Sequence, residues 1–162
     1  MIQHPVGRGR ALALASLALV LAALAGGCRP ETTGPELEPL VLVWQDEFDG
    51  PAGQPPDAAS WRYDIGTDWG NAQLEYDTDR PENVSLDGNG NLAIVAREEP
   101  YLGCAYTSAR INTRDRFEQA RGRFEARIRL PSGQGLWPAF WLLGNDLGTV
   151  GWPACGEIDV ME

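Results

Sequence analysis

The clearest pattern in the chain is an unbroken alternation from Arg123 to Leu130. Phe124, Ala126, Ile128 and Leu130 fall on one side, and Arg123, Glu125, Arg127 and Arg129 on the other. A period of two is that of a half-buried antiparallel strand. Leu40–Trp44 (LVLVW) is a short apolar run that predicts another strand. So is Asn91–Ala96 (NLAIVA), which follows the turn signal Asp87-Gly88-Asn89-Gly90. Leu136–Leu143 (LWPAFWLL) and Gly156–Glu162 complete the set, and only Thr113–Ala120 reads as a helical turn or two. Short strands set between Gly, Pro and Asn-Gly signals, without an internal repeat, predict one all-β sandwich domain over residues 40–162.

The N-terminal pattern is different. Met1–Arg10 is short and basic, and Ala11–Ala25 runs without a charge into Gly26-Gly27-Cys28. This is the order of a secretory signal over residues 1–27, with an uncleaved anchor as the alternative. Leu24-Ala25-Gly26-Gly27-Cys28 is similar to a bacterial lipobox, which makes Cys28 the expected acylation site; ordinary cleavage leaving a free thiol is the other outcome. Arg29–Pro39 (RPETTGPELEP) is rich in Pro, Thr and Glu, so residues 28–39 read as a tether. The expected location is a lipid-anchored position on the cell envelope (outer membrane or cell surface), or secretion. Export means an oxidising compartment, where Cys104 and Cys155 either pair as a disulfide or remain two separate thiols.

Charge narrows the partners. The chain of 162 residues carries 13 basic residues, all Arg, against 23 acidic ones, for a net −10. Without the leader the balance is 11 against 23. Nucleic acid and anionic membrane surfaces need basic patches, so neither is an expected partner, and membrane association is expected only through the lipid anchor. The single histidine, His4, lies in the leader. The mature chain therefore has no His-based triad or His metal site.

Candidate chemistry concentrates at the last strand. In a regular pleat Glu157 and Asp159 share one face while Ile158 and Val160 face the core. Strict alternation would then bury Glu162 without a partner, whereas one extra residue near Val160–Met161 returns it to the acidic face. Crowded carboxylates favour one that is protonated beside one that is ionised. Glycoside hydrolysis uses that pair, and a separation of ~5–5.5 Å makes the ionised member a nucleophile, with retention of configuration. Asp159 lies between the two. A solvated acidic edge strand and a calcium site are the competing readings. Trp137, Trp141 and Trp152, in a window of sixteen residues upstream of this strand, offer flat faces for sugar rings, although any one of them also suits a core.

The Glu157-Ile158-Asp159-Val160-Met161-Glu162 run resembles the bulged catalytic signature of glycoside hydrolase family 16, in its laminarinase-like branch. Met161 is the residue that the lichenase branch lacks. Collinear likenesses lie at Trp44–Gly50, Tyr106–Arg110, Gly122–Arg127 and Gly135–Trp141. The resemblance implies a jelly-roll β-sandwich (concanavalin A-like) with a glycan cleft across its concave sheet. It implies Glu157 as nucleophile, Glu162 as acid/base and Asp159 as the assisting carboxylate. Trp137, Trp141 and Arg110 would lie in or beside the subsite at the scissile bond, with Trp152 and Asn71 contacting sugars nearby. The implied partner is a β-1,3-glucan of laminarin type, met by a monomer without a catalytic metal or other cofactor. Relatives often hold a structural calcium away from the cleft, but no firm ligand set is evident here.

Gln73, Asp77 and Arg121 stand where the family usually has Glu, Tyr and Tyr, which affects outer subsites. The family domain also continues well past the position of Glu162. The expectation is therefore an incomplete sandwich at the C-terminus, and a fragment inactive by itself. Two other readings stay open. One is a family 16 enzyme acting on an agar-type galactan or a mixed-linkage β-glucan. The other is a non-catalytic glucan-binding lipoprotein.

Overall fold

Backbone ladders in the computed structural model, which describes residues 2–5 and 39–162, are almost all β. Cys28 and the proposed tether and signal core lie outside the described residues. The strands are β1 (Ile2–Pro5), β2 (Leu40–Trp44), β3 (Arg62–Asp64), β4 (Glu75–Asp77), β5 (Val84–Leu86) and β6 (Leu92–Ile94). They continue with β7 (Arg97–Tyr101), β8 (Cys104–Ser108), β9 (Arg110–Asn112), β10 (Arg123–Phe124), β11 (Phe140–Leu143) and β12 (Glu157–Met161). One four-residue helix, α1 (Leu147–Val150), separates the last two. No helix among the described residues is long and apolar enough to cross a membrane.

The chain divides into two units. One unit holds a three-stranded antiparallel sheet in the order β10-β1-β2. Part of the expected leader thus forms β1, pairing Gln3 with Leu42 and Pro5 with Leu40. The extended β2 offers a row of N–H and C=O groups, and a second extended segment satisfies them.

The alternation of Arg123–Leu130 supports a strand only through Phe124, where β10 pairs with β1; residues 125–130 form no ladder. Periodicity decides which face of a segment is apolar, but a strand also needs a neighbour to take its hydrogen bonds. The helical reading of Thr113–Ala120 reduces to one turn, closed by the Arg116 and Phe117 N–H groups donating to the Thr113 carbonyl at 2.9 Å. Within Leu136–Leu143 the ladder begins only at Phe140, after Pro138, which has no N–H to donate.

The second unit contains the remaining strands. Its three-stranded sheet runs β4-β8-β7, with β4 and β8 parallel and β7 and β8 a hairpin. Leu102 (φ 45°) and Gly103 (φ 92°) close that hairpin, both in the positive-φ region that a tight two-residue turn requires. Pro100 sits in β7, the edge strand, where a missing N–H breaks no central ladder. The β5–β6 hairpin turns over Asp87, whose carboxylate accepts the Asn89 N–H at 2.7 Å, the Asn91 N–H at 3.2 Å and the Asn91 side-chain amide at 2.9 Å. These bonds, that from the Asn91 side chain first, hold the Asp87 carboxyl below its usual range. The β3–β9 and β11–β12 pairs complete the unit.

Burial is deepest around β5, at Val84 and Leu86, but polar groups share the interior. Asn83 is fully enclosed and forms the centre of a network. Its amide donates to Thr107 Oγ1 at 2.9 Å and to the Val95 carbonyl at 3.0 Å, and its oxygen accepts from Thr78 at 2.6 Å and from Arg80 Nη2 at 2.9 Å. Thr107 donates to Glu99 at 2.5 Å, and Arg80 is ion-paired with the same carboxylate while its guanidinium lies 4.6 Å from the centre of the Tyr101 ring. The Thr107 hydroxyl, ahead of Arg80, holds the Glu99 carboxyl below its usual range.

Removing Asn83 would orphan several buried groups together, so Asn83→Ala is expected to lower unfolding stability by about 2–4 kcal/mol. Urea titration of the full-length protein measures this, and a loss below about 1 kcal/mol would contradict a central role for Asn83.

Candidate active site

The β11–β12 pair builds the site from its register. Leu143 faces Glu157 across the ladder and Trp141 faces Asp159, so Glu157, Asp159 and Trp141 share one face of a regular pleat. Phe140 then pairs with Met161 rather than with Val160, a two-for-one step of a β-bulge. The bulge resets the alternation, returning Glu162 to the side of Asp159. Beyond the other end of the pair, the Gly144 N–H donates to the Gly156 carbonyl at 3.2 Å. A Cβ on Gly144 would come within 2.1 Å of the Cys155 carbonyl, so this close approach of two backbones admits only glycine.

Two carboxylates are held by indoles. Trp152 Nε1 donates to Glu157 at 2.5 Å, and Trp137 Nε1 donates to Glu162 at 3.0 Å. All three acids, Trp137 and Trp152 are exposed, whereas Trp141 is half-buried. Arg110, on β9, lies 4.7 Å from the centre of the Trp141 ring. Directly across the β3–β9 ladder Asp64 pairs with Arg110, whose Nε donates to the carboxylate at 3.0 Å. The guanidinium also lies 5.3 Å from the ring of Trp69. The structure thus gathers Arg110 and Trp141 on one side, Glu157 with Trp152, and Glu162 with Trp137. Asn71 sits in the loop two residues beyond Trp69, exposed, with φ 56°.

Trp69, Asp64 and Asp77 have no place in the sequence reading of the centre. The one available signal was Trp69 itself, an aromatic set between Asp68 and Gly70-Asn71 in a loop composition that rarely buries a ring. Asp77 is 3% exposed and accepts the Trp69 indole N–H at 2.9 Å. Burial pushes its carboxyl up to about 6, with Glu75 and Asp64 adding to the rise, while the Trp69 bond and Arg110 oppose it.

The disulfide expectation does not hold: Cys104 and Cys155 are both free thiols. Cys104, on β8, points its sulfur at Thr67 Oγ1 at 3.6 Å, whereas Cys155 lies in the turn before β12 against the Gly156 carbonyl at 3.5 Å. A cross-link needs two sulfurs in mutual contact, and these two are directed at different partners. Among the described residues no group of three or more His, Cys, Asp or Glu side chains is placed to hold a metal ion. Glu157, Asp159 and Glu162 therefore do not converge as a calcium-binding trio.

Residues 89–162 match the family described as XgeA-like, catalytic GH16 domain. A beta-glucanase of Rhodothermus marinus is 51% identical over 125 residues, covering 75% of this chain and 43% of that protein. The solved laminarinase of the same organism superposes with a TM-score of 0.67 at 51% identity, over 73% of this chain and 47% of that one. The laminarinase catalytic domain of Thermotoga maritima gives a TM-score of 0.66 at 46% identity, over 74% and 50%. The fold class is all-β, the jelly-roll sandwich of glycoside hydrolases of this type. Over these residues the chain is similar to the catalytic domains of glycoside hydrolase family 16. It spans about half the length of these relatives.

Asp77 supplies a pH test. Its folded-state carboxyl, raised to about 6 from the ordinary 3.8, binds a proton more readily than in the unfolded chain. The stability it contributes is thus fully present below about pH 4 and is lost as pH rises through about 6. Asp77→Asn keeps an acceptor for Trp69 without the charge. The variant is therefore expected to match wild type near pH 4 and to exceed it by roughly 2–3 kcal/mol at pH 7.5. Denaturant titrations at several pH values check this, and a pH-independent difference would contradict it.

Proposed function

We propose that the protein carrying this chain is a retaining endo-β-1,3-glucanase acting on laminarin-type glucan. The observation that carries the reading is the bulged β12, which sets Glu157 and Glu162 on one side around Asp159, each outer acid held by a tryptophan indole. In the glycosylation step Glu162 protonates the glycosidic oxygen as it leaves, and Glu157 attacks the anomeric carbon to form a glycosyl-enzyme ester. Water then attacks the same carbon, Glu162 takes its proton, and the Glu157 carboxylate is released with net retention. Asp159 lies between them on the same face of the strand, where it assists the nucleophile. Trp137, Trp141 and Trp152 supply apolar faces for the sugars, and Arg110 holds Trp141 at the scissile subsite. The names of the Rhodothermus and Thermotoga relatives support the substrate class, and the absence of Lys together with the acidic balance disfavours a heavily sulfated polymer.

Glu157→Gln and Glu162→Gln in the full-length protein are each expected to lower kcat on laminarin by roughly 10²–10⁴-fold. Azide should restore turnover of Glu157→Ala and give an α-glycosyl azide, which identifies the nucleophile. Near wild-type activity in either Gln variant, or hydrolysis of agar in preference to laminarin, would overturn the assignment.

The location belongs to the same reading. The signal-like residues 1–27 and the lipobox-like approach to Cys28 support an exported, lipid-anchored protein. Labelling of expressing cells with tagged palmitate should mark the wild type and leave Cys28→Ala unlabelled. Equal labelling of both would remove the anchor from the proposal.

A further inference from the structure

The loop between β3 and β4 is closed at its base by a two-way backbone bridge. Asp77 N–H donates to the Gly66 carbonyl at 2.6 Å, and Gly66 N–H donates to the Asp77 carbonyl at 3.0 Å. Within it the Thr67 hydroxyl donates to the Glu75 carbonyl at 2.9 Å. Trp69 folds back over this base. A Cβ on Gly66 would lie 3.3 Å from the Trp69 ring, so one side of the indole rests on the glycine backbone. The ring edge is tied by Nε1 to Asp77, yet Trp69 remains 42% exposed. An exposed aromatic with a fixed orientation is unlike a surface residue free to turn. The carboxylate that fixes it is itself buried, at 3% exposure, which a purely structural site would avoid by placing an apolar residue there. Arg110 then lies between Trp69, at 5.3 Å, and Trp141, at 4.7 Å.

We propose that Asp77 is a positioning residue that presents Trp69 as a further sugar-stacking face, joined to Trp141 through Arg110, so that one glucan chain is held from the scissile subsite out to the β3–β4 loop. The proposal rests on the β-glucanase reading and adds to it a determinant of chain-length preference. Trp69 meets an outer glucose unit with the part of its indole that Gly66 and Arg110 leave open; Asp77 touches no sugar and acts only by setting the plane of the indole. Asp64 serves the other member of the run, holding Arg110 from across its ladder.

The experiment is a kinetic comparison in the full-length protein on laminari-oligosaccharides of increasing length, with thermal unfolding of each variant as a folding control. Asp77→Ala is expected to raise KM for the longer oligosaccharides about tenfold while kcat stays within about twofold and the shortest substrates are unaffected. Asp77→Asn, whose amide oxygen still accepts from Nε1, should restore the wild-type KM. Trp69→Phe keeps an aromatic ring but has no N–H to be held; it should reproduce Asp77→Ala, and combining the two should add little. If Asp77→Ala does not fold, Trp69→Phe and Asp77→Asn decide alone. An unchanged KM in Trp69→Phe, or an Asp77→Asn variant as weak as Trp69→Phe, would overturn the positioning role while leaving the hydrolase reading intact. A wild-type protein without activity on any β-1,3-glucan would instead overturn the reading on which the proposal rests.

Discussion

A strand has two faces, and three carboxylates that follow one another at every second or third residue cannot all reach one of them without a change of phase. The bulge in β12 is that change. It costs one ladder position between Phe140 and Trp141, and it keeps Glu162 out of the interior, where an unpaired charge is severely destabilising. The rest of the site depends on this one residue. Trp137 can reach Glu162 only because the acid has returned to the side of Asp159, while Ile158 and Val160 stay on the opposite face. An acidic strand in regular register would have carried two usable carboxylates instead of three.

Around the acids the structure uses indoles in two ways. Trp137 and Trp152 are donors to carboxylates and limit the rotamers open to Glu162 and Glu157. Trp141 and Trp69 are faces, and Arg110 lies against both. A guanidinium serves here because it is planar and weakly hydrated; it can lie on a ring while its edge keeps an ion pair with Asp64. A lysine ammonium has no such flat edge. The same side chain therefore links the ladder of β3 and β9 to the ladder of β11 and β12.

Beneath the β4-β8-β7 sheet, the interior is polar where a small sandwich is expected to be apolar. Asn83, Thr78, Thr107, Arg80 and Glu99 satisfy one another, and Val84 and Leu86 supply the enclosed apolar volume. A network of this kind specifies one arrangement, since each member loses its partners if the strands slip by a residue. Asp77 is enclosed as well, but on the opposite face of the sheet, where its carboxylate meets Trp69. Its raised proton affinity is the energetic signature of a carboxyl placed where burial outweighs its neighbours.

The sequence by itself determined the acidic strand, its bulge, the all-β class and the aromatic residues that surround the acids. These are local properties: the residues lie within about twenty-five positions of one another, and alternation plus the cost of burying Glu162 is enough to order them. The same local reasoning overextended the strand at Arg123–Leu130, because a pattern names a face but not the neighbour that must accept its hydrogen bonds. It also left the polar strands β3, β4, β7, β8 and β9 unnamed, since Arg97–Tyr101 and its like carry no hydrophobic alternation. Only the tertiary structure decided that Arg110 lies between Trp69 and Trp141, that Asp64 and Asp77 stand behind that run, and that Cys104 and Cys155 remain separate. Those contacts join strands and loops distant along the chain, and chain closure, not periodicity, brings them together.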